Sequence, residues 1–126
     1  MSVTIHRPAD HVYSYVADLG NLPRWSFFES ATQVDGVWRV GTPRGELTLT
    51  LAPDNDLGVL DHHVETTDGR TIYIPMRVIS NGGDSVVLFT VFRQPEMTDE
   101  AYAADIAQVE TDLAKLKSLL DSQSRP

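Results

Sequence analysis

The clearest hydrophobic pattern in the chain lies near its C-terminus, over Thr98–Asp121. Thr98 is a suitable N-cap, and the two acidic residues after it suit the positive end of a helix dipole. The pattern predicts one long helix with a single apolar face, because its apolar residues recur at steps of four and three positions. They are Tyr102, Ile106, Val109, Leu113, Leu116 and Leu120. A dimeric coiled coil shares this spacing, but the run is short for one.

The N-terminal part predicts one strand and two short helices. Ser2–His6 alternates between apolar and polar residues, as a half-buried strand does. Pro8 suits the first turn of a helix, and Ala9–Leu19 has apolar residues at helical spacing. Asn21–Trp25 is typical of a second, very short helix. Two helices are therefore expected between the first strand and the rest of the sheet.

The middle of the chain predicts six strands joined by turns. The strands are Ser30–Val34, Val37–Val40, Glu46–Leu51, Val59–Thr67, Thr71–Ser80 and Ser85–Arg93. Tight-turn pairs separate several of them, and Asp35-Gly36 is typical of a type I′ hairpin. Strands joined by such short turns are antiparallel neighbours. We therefore predict an α+β fold, with an antiparallel sheet of six or seven strands covered by the C-terminal helix. We expect residues 1–121 to form a single domain and residues 122–126 a frayed tail.

Composition excludes several classes of function. Ten Lys and Arg against eighteen Asp and Glu leave a net charge of −8, and such a surface repels nucleic acid and anionic membranes. The absence of cysteine excludes disulfides, thiolate nucleophiles and cysteine-based zinc sites. No apolar run is long enough to span a membrane, and the N-terminus lacks the apolar core of a signal peptide. We expect a cytoplasmic protein without a cofactor or a metal ion.

The order of elements resembles the START-like (SRPBCC) helix-grip superfamily, which includes polyketide cyclase/dehydrase-like and birch-pollen-allergen-like proteins. The local signatures are Arg7-Pro8-Ala9-Asp10 with Val12-Tyr13 after the first strand, and Asn21–Trp25 before the sheet. The resemblance implies a curved sheet wrapped around the C-terminal helix, with a cavity between them that the two short helices close. Members bind lipids, sterols, polyketides or other apolar molecules, and some are enzymes. The short chain implies a modest cavity.

Two adjacent histidines are the main candidates for chemistry. Neighbouring residues on a strand point to opposite faces, so His62 and His63 cannot bind one metal ion together. His62 shares an apolar face with Leu60 and Val64. There it can bond to a ligand, act as a general base or be satisfied by a protein group. The opposite face carries a charged row that we interpret as solvated rather than metal-binding: Asp61, His63 and Glu65.

The other predicted binding residues are Trp25, Trp38, Met76, Thr90 and Phe92. Tryptophan and methionine are frequent in the walls of apolar ligand sites, although core packing explains them equally well. Ser85–Arg93 is apolar on both faces. The pattern therefore leaves open whether Thr90 and Phe92, or Phe89 and Val91, point inward.

Common catalytic motifs are missing, because the chain has no Gly-rich phosphate loop, no HExxH and no G-x-S-x-G. We predict a domain that binds an apolar or aromatic small molecule between sheet and helix, without covalent chemistry. One alternative is a polyketide cyclase/dehydratase-type enzyme with His62 as the general base. The other is an interaction protein without a ligand, a homodimer formed through its sheet or helix. Catalysis requires two convergent polar groups, and the sequence identifies only His62, which favours binding.

Overall fold

The computed structural model describes residues 1–123. Within this range the helices are α1 (Ala9–Ala17), α2 (Leu22–Trp25) and α3 (Asp99–Asp121), with a short 3₁₀ helix at Leu19–Asn21. The strands are β1 (Ser2–Ile5), β2 (Ser30–Val34), β3 (Val37–Thr42), β4 (Gly45–Leu51), β5 (His62–Glu65), β6 (Thr71–Ile74), β7 (Met76–Asn81) and β8 (Asp84–Phe89). The predicted order of elements is confirmed. No helix in residues 1–123 has both the length and the apolar character needed to cross a membrane.

The strands form two antiparallel sheets, ordered β1-β8-β7 and β2-β3-β4-β5-β6. The sequence predicted Thr71–Ser80 as one strand, and the structure divides it at Pro75, which has no N–H for the ladder. The register continues across the break, because Val59 bridges Arg77 in the same alignment that pairs His62 with Ile74. Counted without the break there are seven strands, within the predicted number of six or seven.

The β2–β3 hairpin has the predicted type of turn. Asp35 and Gly36 have φ angles of 53° and 79°, and a type I′ turn requires a positive φ at both central residues. The turn sets the register in which Gln33 pairs with Trp38. Since strand side chains alternate between faces, this register determines which residues of β3 point toward the core.

The long helix is confirmed at Asp99–Asp121, with the Thr98 side chain accepting a hydrogen bond from the N–H of Ala101 at 3.0 Å. Its apolar face is fully buried only in the second half. There Leu113, Leu116 and Leu120 are 3%, 0% and 0% exposed, and α3 packs mainly against β1 and α2. The apolar residues of the first half remain partly accessible to solvent: Tyr102, Ile106 and Val109.

Arg7, from the first of the two signatures, fastens the C-terminal end of α3. Its guanidinium is buried and donates hydrogen bonds to the carbonyls of His6 at 2.7 Å and Asp121 at 3.1 Å, and to that of Gln123. A cation is favourable at this end of a helix, where carbonyl groups lack partners. Gln123, which the sequence placed in a frayed tail, is thus held by Arg7. The rest of that tail, residues 124–126, lies outside the described residues.

Candidate functional site

The strand registers define one inner face of the sheet. The cross-strand pairs Trp38–Leu49, Leu49–Val64 and Val64–Ile72 place these residues on the same side. On β7 and β8 the same side carries the pairs Val78–Val87 and Met76–Phe89. Most of these side chains belong to the core, whereas the alternate positions face solvent. The predicted inward direction of Leu60, His62 and Val64 agrees with this register.

Part of this inner face is incompletely covered. Inner residues near the ends of the strands are only partly buried, although they belong to the apolar cluster; they include Trp38, Leu51, Ile74 and Phe89. The first half of α3 is likewise only partly buried, at Tyr102, Ile106 and Val109. We call the surface formed by these two sets of partly exposed residues the inner cleft.

A hydrogen bond connects the first half of α3 to the sheet side of the molecule. The hydroxyl of Tyr102 donates a hydrogen bond to the carbonyl of Val91 at 3.4 Å, in the segment after β8. Nearby on the helix, partial burial raises the pKa of Asp105, and the positive charge of Arg44 in the β3–β4 turn opposes that rise. The start of α3 therefore lies beside the segment after β8.

His62 lies on the inner face, between Leu51 and Ile74 on the neighbouring strands. Its Nδ1 is 3.0 Å from the carbonyl oxygen of Leu60, and its ring meets that of Phe89 edge-to-face with centroids 6.1 Å apart. Burial lowers the pKa of His62, and the bond to Leu60 opposes this only in part. The imidazole is therefore neutral at neutral pH.

Asp61, on the outer face, has a different role from the one that the sequence suggested. The charged row was interpreted as solvated, but the Asp61 side chain is only 15% exposed. Its carboxylate accepts hydrogen bonds from Arg77 at 2.7 and 2.9 Å, from the Tyr73 hydroxyl at 2.8 Å and from the Met76 N–H at 3.0 Å. Arg77 is the main reason why the pKa of Asp61 lies far below its usual range. The sequence did contain one signal of these contacts, which is Pro75. This proline interrupts the predicted strand at the position opposite Asp61.

Two of the predicted binding residues are fully buried and one borders the inner cleft. Trp25 and Met76 are 4% and 1% exposed and belong to the core, whereas Trp38 is partly buried on the inner face. The indole Nε1 of Trp25 is buried without a hydrogen-bond partner among the described residues. Trp38 and His62 thus lie at the inner cleft, with Met76 in the core beside Phe89.

The other two predicted residues, Thr90 and Phe92, do not lie on the inner face. Thr90 is exposed, and Phe92 is half exposed with its ring 6.2 Å from that of Tyr73 on the outer side. The register pairs Phe89 with inward-facing Met76, so Phe89 occupies the inner position. The inward assignment of Thr90 and Phe92 is therefore wrong. The sequence pattern could not decide between the two pairs of residues, because both faces of this segment are apolar.

Asp112 is a buried carboxylate on α3 that the sequence analysis did not identify. It is 7% exposed and accepts a hydrogen bond from the Gln108 side chain at 2.8 Å and another from the backbone N–H of Phe27. Burial raises the pKa of Asp112, and these hydrogen bonds offset the rise only in part. Asp112 thus attaches the segment that follows α2 to the middle of α3.

Asp112→Asn should stabilise the protein at neutral pH. A raised native pKa means that the native state binds this proton more tightly than the unfolded chain. Stability therefore falls as the pH rises from the ordinary value of 3.8 through the native pKa. Asparagine keeps an acceptor oxygen without the charge, so its advantage should shrink as the pH falls below that window. Urea unfolding at several pH values measures this, with Asp54→Asn in an exposed loop as the control. An advantage that grows toward acid pH would contradict the assignment.

Two open grooves lie at the protein surface. One of about 770 Å³ runs between β1 and the second half of α3, beside Val3 and Lys117. The other, of about 470 Å³, lies beside His63 and Tyr73, whose rings stack with centroids 5.0 Å apart. Neither groove is lined by a predicted binding residue, although Leu51 of the inner cleft also lines the second groove.

The arrangement around His62 is suited to binding an uncharged group. No carboxylate or hydroxyl in the described part of the chain forms a hydrogen bond with His62, and its recorded polar partner is a backbone carbonyl. A general base is usually oriented by such a side chain. Residues 1–123 also contain no cluster of three potential metal ligands.

No family model and no curated protein matches this sequence. Solved structures do match. A START superfamily protein from Mycobacterium smegmatis superposes with a TM-score of 0.76 at 12% identity, over 98% of this chain and 97% of that one. XoxI from Bacillus cereus gives 0.73 at 17% identity, over 97% and 94%. The chain has the START-like helix-grip fold. The di-domain ARO/CYC protein BexL of the BE-7585A biosynthetic pathway gives 0.71 at 20% identity, over 94% of this chain and 44% of that one.

In the START-like fold, the long C-terminal helix lies against the sheet. Its sheet wraps around α3, as the resemblance of the sequence implied. The two short helices follow β1, and α2 packs against α3. The fold therefore positions the inner cleft, while the residues of this chain determine its size and chemistry.

Proposed function

We propose that the protein binds an apolar or aromatic small molecule in the inner cleft, without covalent chemistry. The observation that carries this proposal is the partial exposure of apolar residues on both sides of the cleft. In the second half of the same helix, Leu113, Leu116 and Leu120 are at most 3% exposed, so the apolar face of α3 is covered more completely there than in the first half. Apolar surface left accessible on two facing elements gains free energy when a ligand covers it, at roughly 25 cal/mol per Å².

The residues at the cleft fit an aromatic ligand. Trp38 and Phe89 offer flat apolar surfaces, and Leu51 and Ile74 flank them on adjacent strands. Aromatic rings prefer offset or edge-to-face contacts with such side chains. His62 supplies one polar contact, which is the usual way in which an apolar site orients its ligand.

We favour binding over an ARO/CYC-type activity of the kind that the name of BexL assigns to that protein. Such chemistry would require a second polar group acting with His62. Among the described residues, the partner of the His62 ring is the carbonyl of Leu60, which orients the ring but cannot carry a proton.

A cleft-filling substitution tests the proposal. Ile106→Trp should fill the space beside the first half of α3, whereas Ala103→Trp places the same side chain on an exposed position of the same helix. The fluorescence of N-phenyl-naphthylamine, a neutral apolar probe, should rise on binding to the wild-type protein and to Ala103→Trp. Ile106→Trp should weaken that binding at least fivefold. The proposal is wrong if the wild type does not bind the probe, or if both variants bind it equally.

A further inference from the structure

The inner and outer faces of the sheet are coupled at Pro75. In the continuous register Leu60 lies opposite Met76, and the N–H of Leu60 donates to the Met76 carbonyl at 2.8 Å. The return bond of an antiparallel pair would run from the Met76 N–H to the Leu60 carbonyl. Instead, the Met76 N–H donates to Oδ1 of Asp61 at 3.0 Å. The Leu60 carbonyl is therefore left without its ladder donor.

His62 takes the place of that donor. Its Nδ1 lies 3.0 Å from the Leu60 carbonyl oxygen, and because a carbonyl oxygen can only accept, Nδ1 carries the hydrogen. In a neutral imidazole the other nitrogen, Nε2, then has a lone pair and no hydrogen. Nε2 forms no hydrogen bond with any residue that the structure describes.

We propose that Asp61 is a positioning residue that fixes His62 in its Nδ1–H tautomer, and that the inner cleft accepts apolar ligands with a hydroxyl group that donates to Nε2. The ligand class in this statement rests on the proposed function. An imidazole in this state has no hydrogen to offer at Nε2, so it disfavours a carboxylate or phosphate at the same position.

Electrostatics around the ring agree with a neutral acceptor. Burial lowers the pKa of His62; the negative charge of Asp61 opposes this shift and the charge of His63 adds to it. The carboxylate of Asp61 is itself neutralised by Arg77, with which it forms two hydrogen bonds at 2.7 and 2.9 Å. The outer-face ion pair can therefore hold the Met76 N–H without making His62 cationic.

Nitrogen NMR of the imidazole rings tests the role of Asp61, because a protonated and an unprotonated ring nitrogen have distinct shifts. The His62 signals are assigned by their loss in His62→Phe. The wild type should show Nδ1–H, and so should Asp61→Asn, which keeps an oxygen for the Met76 N–H. Arg77→Ala should also keep this tautomer, since it leaves the Asp61–Met76 bond in place. Asp61→Ala frees the Met76 N–H to return to Leu60, so the Nε2–H form should appear.

An Nε2–H tautomer in the wild type would overturn the inference without the need for any variant. The same conclusion would follow if a folded Asp61→Ala protein kept the wild-type tautomer. A change of tautomer in Arg77→Ala would show that the ion pair, and not the bond to Met76, governs the ring.

Three matched probes test the ligand class: 2-naphthol, its methyl ether and 2-naphthoate. One added hydrogen bond should make the wild-type protein bind naphthol roughly two- to tenfold more tightly than the ether, and naphthoate should bind most weakly. His62→Phe should bind naphthol and ether equally. Equal binding of the two by the wild type would overturn the ligand class and leave the proposed function standing. Failure of all three to bind would overturn both, whereas the tautomer measurement decides the role of Asp61 separately.

Discussion

Leu116→Ala should lower the free energy of unfolding by about 2–5 kcal/mol. Leu116 is 0% exposed, in the half of α3 that packs against β1 and α2. Truncation removes many apolar contacts and leaves a cavity, which a close-packed interior fills only in part. Urea unfolding followed by circular dichroism measures the loss.

Lys115→Ala is the matched control, because it is exposed and directly precedes Leu116 in the helix. Surface substitutions of this kind usually change stability by no more than about 0.5 kcal/mol. Similar losses at both positions would show that the buried face of α3 has been assigned wrongly. Leu113→Ala, at a position only 3% exposed, should behave like Leu116→Ala.

Gly58→Ala should lower the free energy of unfolding by about 3 kcal/mol or more. This figure combines the cost of placing alanine in a left-handed conformation with the cost of disturbing a buried hydrogen bond. Gly58 has a φ of +71°, and an added Cβ would lie 2.2 Å from the carbonyl oxygen of Val78. The Gly58 carbonyl also accepts the Val78 N–H at 2.8 Å. Because both close contacts involve backbone, no side chain can move aside to relieve them. Thermal and urea unfolding of the variant measure the effect.

Two other glycines separate the contributions to this effect. Gly82 has a φ of +63° with open space where a Cβ would lie, so Gly82→Ala should show only the backbone cost, about 1–2 kcal/mol. Gly83 has open space without a positive φ, and Gly83→Ala should be nearly neutral. If Gly58→Ala lost no more stability than Gly82→Ala, this result would contradict the close approach of residues 58–60 to β7.

The local patterns of the sequence were informative wherever neighbours along the chain set the conformation. The steps of four and three positions predicted α3 with its bounds and its N-cap Thr98. The Asp35-Gly36 pair predicted a turn that needs two positive φ angles. Alternation along β5 predicted that His62 points inward, because a strand reverses the direction of its side chains at every residue.

The partner of His62 could not be predicted in the same way. Its ring bonds to the carbonyl of Leu60 only because the Met76 N–H, from the neighbouring strand, goes to Asp61. Pro75 was visible in the sequence, but its effect on the opposite strand depends on register. The interpretation of Asp61 as a solvated carboxylate failed for this reason, because alternation predicts a face and cannot predict which groups meet there.

By itself, the sequence determined the elements, their order and the inward or outward direction of strands with one apolar face, since these depend on propensities and periodicity within a few residues. Tertiary structure decided the choice of Phe89 over Thr90 and Phe92, the burial of Asp112 and the difference between the two halves of α3. The helical stripe is equally apolar along its length, so nothing local distinguishes Leu116 from Ile106. The packing of the second half of α3 against β1 and α2 makes that distinction, and it depends on how distant segments come together.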